Sequence, residues 1–386
     1  MNQRHDTYRV AILFVGGMHQ ALHIAPVALA LAQMGNPVTA FVPVAPDKDE
    51  LQRLFEILGN APITITVMQT PSLVETLLAW RWFKIPAKVI RLLFWNRQIR
   101  GHDAILAAER TSTILKQMPG RTPPMIHIPH GAGDRAKGFE PRHALYDHVI
   151  AAGPKVRRRL IAQGGVKPED CTVAGAIKIV ACRQLHRRDA RQLFDNDRPI
   201  ILYNAHFDHS LSSWNRFAHA LIDAVIAGGR YNLIVAPHAR MFQTASKSQC
   251  DVWRARAVAG RVIVDLDSPY LSDMTYTNAA QIYLGDVSSQ VYEFSTEPRP
   301  CIFIDAHGVI WRDNPDYAMW QFGPVCSDIT QIMAALGNAQ ASHADYITVQ
   351  REMVTDILGD TTDRAPHTAA QQFIAAVTRI NANRLS

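Results

Sequence analysis

Residues 278–305 read NAAQIYLGDVSSQVYEFSTEPRPCIFID, and the alternation within this stretch decides the fold class. A short apolar run at 281–284 breaks at Gly285-Asp286-Val287-Ser288-Ser289, and an amphipathic segment resumes and ends near Glu297. Pro298 and Pro300 stop that segment, and Cys301 to Ile304 is a second apolar run of buried-strand length. The order is strand, tight polar loop, helix, strand. In such a unit the loop lies at the carboxyl edge of a sheet, where a helix N-terminus offers unpaired N–H groups and partial positive charge to an anion. Ser288 and Ser289 add two hydroxyl donors there. Two readings stay open at this point: Asp286, Ser288 or Ser289 caps the helix, or the loop holds a phosphate.

Outward from this unit, the chain repeats the same alternation twice over. Its 386 residues exceed what one core covers, which predicts two domains of about 180 residues each. Apolar content of 48% with 19% charged residues is that of a folded globular protein. The 40 basic and 34 acidic residues leave a net charge of +6, a modest excess that suits phosphorylated small molecules or a membrane surface. The basic residues are not interleaved with a recognisable nucleic-acid motif, so no nucleic-acid partner is expected. Five widely spaced cysteines (Cys171, Cys182, Cys250, Cys301, Cys326) with no CxxC pair fit a reducing compartment and argue against a Cys-based zinc site. No secretory pattern precedes the first strand and no apolar run reaches bilayer length, so the expected location is cytoplasmic.

Along the chain, Val10 to Val15 reads as a strand, Gly16-Gly17-Met18-His19 as a loop, 21–34 as a helix and Val38 to Val42 as a strand, a βαβ opening of a doubly wound sheet. The loop is not GxGxxG. Gly16, Gly17 and His19 are candidate acceptor-side residues, because glycines let a substrate approach the backbone. Segment 72–101 carries Trp80, Trp82 and Trp95 with six basic residues and the single acid Glu75. It reads either as a peripheral anchor at an anionic membrane or as a core-packed helix pair. Met125 to Pro129 is a strand ending at His130-Gly131, which puts an imidazole at the carboxyl edge, where it can act as a general base.

Stretch 181–198 turns charged and is the candidate linker. A second βα series follows, with His206 on the loop after Ile200 to Tyr203, and His238 and Arg240 just past Leu233 to Ala236. Imidazole and guanidinium beside the Ser288-Ser289 loop suit a pyrophosphate. Asp265-Leu266-Asp267 is a weak cation signal, and no metal is predicted. The domain borders expected are 1–182, a linker at 183–198, 199–360 and a C-terminal helix at 361–386.

His130-Gly131 after a strand, Tyr203 to Asp208, His238, and the Asp286 to Phe294 segment followed by Arg299-Pro300 together resemble the CDP-glycerol glycerophosphotransferase family of teichoic-acid polymerases and primases. The resemblance covers roughly Met125 to Asp305. Pro129 and Ala132-Gly133 depart from the pattern around the first histidine, and Pro237 precedes His238 where the family has proline after it. The resemblance implies a GT-B fold of two Rossmann-like domains facing a cleft, no cofactor, a nucleotide-activated donor and a glycan or lipid-linked acceptor. It further implies His130 as the base, His238 as a donor-phosphate contact, and Ser288 and Ser289 as phosphate-binding serines. Arg240, Asp286, Glu293 and His206 complete the expected donor site. The activity expected is phosphopolyol transfer, with sugar transfer as first alternative and a nucleotide-sugar 2-epimerase or a non-catalytic glycan-assembly scaffold behind it.

Overall fold

The computed structural model describes residues 7–72, 74, 86–130, 139–188 and 192–384. Strands Val10–Leu13 (β1), Val38–Val42 (β2), Ile63–Val67 (β3), Ala104–Ala107 (β4), Met125–His127 (β5), His148–Ala151 (β6) and Cys171–Val173 (β7) form one sheet. Its order is β3-β2-β1-β4-β5-β6-β7, parallel throughout. Strands Ile200–Asn204 (β8), Asn232–Val235 (β9), Val262–Val264 (β10), Ile282–Gly285 (β11), Cys301–Ile304 (β12) and Val325–Cys326 (β13) form the second, ordered β10-β9-β8-β11-β12-β13 and also parallel. The runs VAIL, AILA and HVIA are buried at every position, as strands covered on both faces must be. Each sheet reverses strand order once, between β1 and β4 and between β8 and β11. Open α/β sheets leave a crevice beyond the carboxyl ends of the strands at such points.

Two compact units carry these sheets. Among the described residues the first holds those before 131, Phe139–Arg188 and those from Asp356 onward, and the second holds 192–355. These borders differ from the expected ones. Residues 183–188, read as linker, lie in helix Ile177–Arg188, whose Ile177, Ile179, Val180 and Cys182 are buried. A helix with one apolar face shows a linker-like composition on its other face. Residues after Asp356 return to the first unit, where Ala176 N donates to Asp360 O at 2.8 Å. Gly175 permits that approach: its φ is +113°, and a Cβ there would meet Asp360 O at 2.2 Å. Helix Ala365–Asn383 then buries Phe373 completely.

The helix after the Ser288-Ser289 loop is shorter than its periodicity suggests, running only Gln290–Phe294. Arg299 closes it. Its guanidinium donates to the carbonyls of Thr277 (2.9 Å), Ala280 (2.7 Å) and Phe294, and lies 3.9 Å from the Phe294 ring centre. Carbonyls at a helix end need such partners.

Within 72–101, Glu75, Trp80 and Trp82 lie outside the described residues. The described part packs inward. Trp95 Nε1 donates to Gln69 O at 2.7 Å and its ring meets Phe41, Lys88 pairs with Glu109, and Arg91 is buried. Phe94, half exposed, is the large apolar group facing out. Among the described residues no helix is long and apolar enough to cross a membrane.

Candidate functional site

The second unit builds a polar cluster at its switch point. Asp286 follows β11 and is fully buried. Its Oδ2 accepts from the backbone N–H groups of His206 and Ser213, both at 2.9 Å, and so ties the loop after β8 to the loop after β11. Burial raises its pKa to about 7, against the lowering effect of those hydrogen bonds and of the Ser213 hydroxyl. The structure thus gives Asp286 a different task from the phosphate contact expected of it: a buried carboxyl facing protein N–H groups shapes the loop. Around it, Tyr203 Oη and Ser213 Oγ share a 2.8 Å hydrogen bond, and Tyr283 Oη donates to Asn204 Oδ1 at 3.2 Å. Gly285 is required here, because a Cβ would stand 2.6 Å from Asn204 O.

On this base the loop after β8 presents His206 and Phe207, and the loop after β9 presents His238 and Arg240. The rings of Phe207 and His238 are 4.8 Å apart, those of His206 and His238 5.9 Å. The Arg240 guanidinium sits 4.3 Å from the Phe207 ring centre, an arrangement that holds a planar cation over an aromatic face. Arg240 is exposed and forms no ion pair among the described residues. The two imidazoles have defined roles. His206 Nδ1 accepts from Asp208 N at 3.0 Å and His238 Nδ1 accepts from Arg240 N at 3.2 Å, so each neutral ring carries its proton on Nε2.

Ser288, nearly buried, accepts from Gln290 N at 3.3 Å and so acts as the local cap, while the Ser289 hydroxyl makes no cap bond and stays half exposed. The capping reading of the loop thus falls to Ser288. Glu293 lies on helix Gln290–Phe294 with its side chain partly buried. Asp265 is occupied by Ser268 N (3.0 Å) and Tyr276 Oη (2.7 Å), and Asp267 by Arg254 (2.8 Å).

The first unit assembles a second cluster at its own switch point. His130, after β5, places Nδ1 at 2.9 Å from Ala108 O and Nε2 at 3.3 Å from Gln20 Nε2. Gln20 Nε2 also donates to Glu109 Oε2 at 2.9 Å, and Lys88 pairs with Glu109 at 3.1 Å. Burial alone would raise the Glu109 pKa. Hydrogen bonds from Gln20 and Thr111 and the Lys88 ammonium outweigh it and bring the group to about 2. Burial lowers the His130 pKa, with Arg110 and Lys88 acting the same way and the Ala108 carbonyl and Glu109 opposing. Gly16 and Gly17 border the cluster and lead into helix Met18–Gln33, with Gly17 as N-cap at φ 92°. His19 is on that helix, its side chain outside the described residues.

Gln20, Glu109 and Lys88 were not legible as site residues. They stand 89 and 21 positions apart in sequence. The usable signal was Glu109 at the end of an apolar strand.

Neither a protein-family profile nor a curated protein matches this sequence. Solved structures do match over nearly the whole chain. S. aureus MnaA in a co-structure with UDP aligns with a TM-score of 0.65 at 15% identity, covering 97% of each chain. The UDP-GlcNAc 2-epimerase of Neisseria meningitidis, bound to UDP-GlcNAc, gives 0.57 at 14%, covering 96% of this chain and 100% of that one. The wall teichoic acid polymerase TagF, soaked with CDPG, gives 0.61 at 11%, covering 98% and 90%. Identities this low establish shared architecture. The chain has the GT-B fold, two parallel α/β sheets of seven and six strands.

Proposed function

We propose that the protein transfers a phosphopolyol, or alternatively a sugar, from a nucleotide-activated donor to a hydroxyl on a glycan or lipid-linked acceptor. The observation that carries this reading is the division of chemistry between the clusters. The second unit collects donors at its switch point: the Arg240 guanidinium, the Nε2–H groups of His206 and His238, and the Ser289 hydroxyl. The first unit supplies one imidazole in neutral form, His130.

In the reaction, the acceptor hydroxyl gives its proton to His130 Nε2 as its oxygen bonds to the donor phosphorus. The bond to the nucleotide breaks, and the nucleotide leaves with the electron pair as an anion. Arg240 and the N–H and O–H donors stabilise that charge as it develops. No metal ion enters this scheme. Membrane association of the 72–101 segment, with Phe94 facing out, is the proposed route to a lipid-linked acceptor.

The N. meningitidis structure supplies the second reading, a nucleotide-sugar 2-epimerase. Epimerisation needs proton-handling groups on two faces of one carbon.

Calorimetric titration with CMP, CDP, CDP-glycerol, UDP and GDP tests the donor site. Cytidine preference supports phosphopolyol transfer, and uridine or guanosine preference supports sugar transfer. Arg240→Ala should weaken binding by about tenfold to a hundredfold, the worth of one charged hydrogen bond. If no nucleotide binds, the proposal fails. His130→Ala should abolish turnover and leave donor affinity nearly intact. Deuterium incorporation at C2 of UDP-GlcNAc in D2O would establish the epimerase instead.

A further inference from the structure

We infer that Gln20 is a positioning residue that caps the proton-accepting nitrogen of His130 and is displaced from it by the acceptor hydroxyl. This rests on the assignment of His130 as the base.

The orientation of the Gln20 amide is fixed from both ends. Glu109 is ionised and can only accept, so the group 2.9 Å from its Oε2 is the amide nitrogen of Gln20. That nitrogen has only donors, so His130 Nε2, 3.3 Å away, must accept. The other side of the ring agrees. Ala108 O can only accept, so His130 Nδ1 at 2.9 Å is the protonated nitrogen. The chain Lys88, Glu109, Gln20, His130 therefore runs without a mismatched pair, and it selects the neutral Nδ1–H tautomer.

Gly16 makes this pose possible. A Cβ there would stand 1.7 Å from Gln20 Oε1, so any other residue pushes the amide away. Gln20 itself is 5% exposed and bridges the loops after β1 and β4 across the first switch point.

The consequence concerns proton transfer. A proton arriving at His130 Nε2 would face the Gln20 N–H, donor against donor. Rotating the amide to offer Oε1 would set that oxygen against the Glu109 carboxylate. Imidazolium is thus disfavoured while Gln20 is in place, and favoured once an acceptor hydroxyl occupies its position. Among the described residues, the charged and titratable groups facing His130 include Glu109, Arg110, Lys88 and His127, of which Glu109 favours the cation.

Nitrogen-15 NMR of the histidines in the full chain reads this directly, without nucleotide or acceptor. Wild-type His130 should show the Nδ1–H tautomer and titrate below an ordinary histidine. In Gln20→Leu its midpoint should rise by about one pH unit as the opposing donor is lost. In Gln20→Glu, which removes the opposing donor and adds negative charge beside the ring, it should rise further. Gly16→Ala, which displaces the amide without changing its chemistry, should reproduce the Gln20→Leu shift and serves where that variant fails to fold.

An Nε2–H tautomer in the wild type overturns the inference, and so does an unchanged midpoint in both Gln20→Leu and Gly16→Ala. Neither outcome touches the nucleotide titration. Conversely, absence of nucleotide binding leaves the tautomer result standing and removes only the reaction it serves.

Discussion

Replacing Asp286 by Asn tests whether a buried carboxyl organises the donor-side loops. The group is fully buried and its pKa is raised to about 7, from an ordinary value near 4 in the unfolded chain. Between these values the folded protein binds a proton that the unfolded chain has released, so this group's contribution to stability is greatest below pH ~4 and falls as pH rises to ~7. Three pH units at about 1.4 kcal/mol each give about 4 kcal/mol in all, of which about 3 kcal/mol falls between pH 5 and 8.5. In Asp286→Asn the amide oxygen still accepts from His206 N and Ser213 N. Its NH2 takes the place of Oδ1, which has no hydrogen bond among the described residues, at a cost that does not vary with pH. The assay is urea denaturation at pH 5 and pH 8.5, followed by hydrogen exchange of β8 and β11 amides so that the second unit is read. The wild type should lose about 3 kcal/mol more than the variant between the two conditions. Identical pH dependence in both proteins would refute the reasoning.

Three further outcomes are expected. Glu109→Gln should remove an acid-sensitive contribution to the first unit: stability present above pH ~4.5 and lost as pH falls toward the folded value of about 2, seen as a flatter acid melt by circular dichroism. Phe373→Ala should cost about 3–5 kcal/mol, and differential exchange should place the loss in the first unit, to which residues from Asp356 onward belong. Gly285→Ala sets a Cβ 2.6 Å from Asn204 O; thermal denaturation should show a loss of about 1–3 kcal/mol in the second unit.

What the sequence made legible was what depends on neighbours in the chain. Val38–Val42 and Cys301–Ile304 were readable to the residue, because a strand buried on both faces is a plain apolar run with polar ends. Ile63–Val67 escaped notice: ITITV alternates and lies at the sheet edge, half exposed. Helix Ala45–Leu58 was also missed, although Pro46 near its start, Leu51, Leu54 and Phe55 on one face and Gly59 at its end mark it. His130, His238 and Arg240 were singled out by position, since a strand's carboxyl end is a local feature. The partners that define them are not local. Gln20 meets His130 across 110 positions, and Phe207 lies under Arg240 only because β8 and β9 are neighbours.

The chain enters the second unit after Arg188 and leaves it before Asp356, so one unit is inserted within the other. During synthesis the second unit can close on itself while the first still lacks helix Ala365–Asn383, which packs on helix Met18–Gln33. The first sheet is thus made early and covered late. A ribosome that pauses before residue 365 holds a nascent chain with the face of helix Met18–Gln33 bare, and that is the interval in which a chaperone has most to bind.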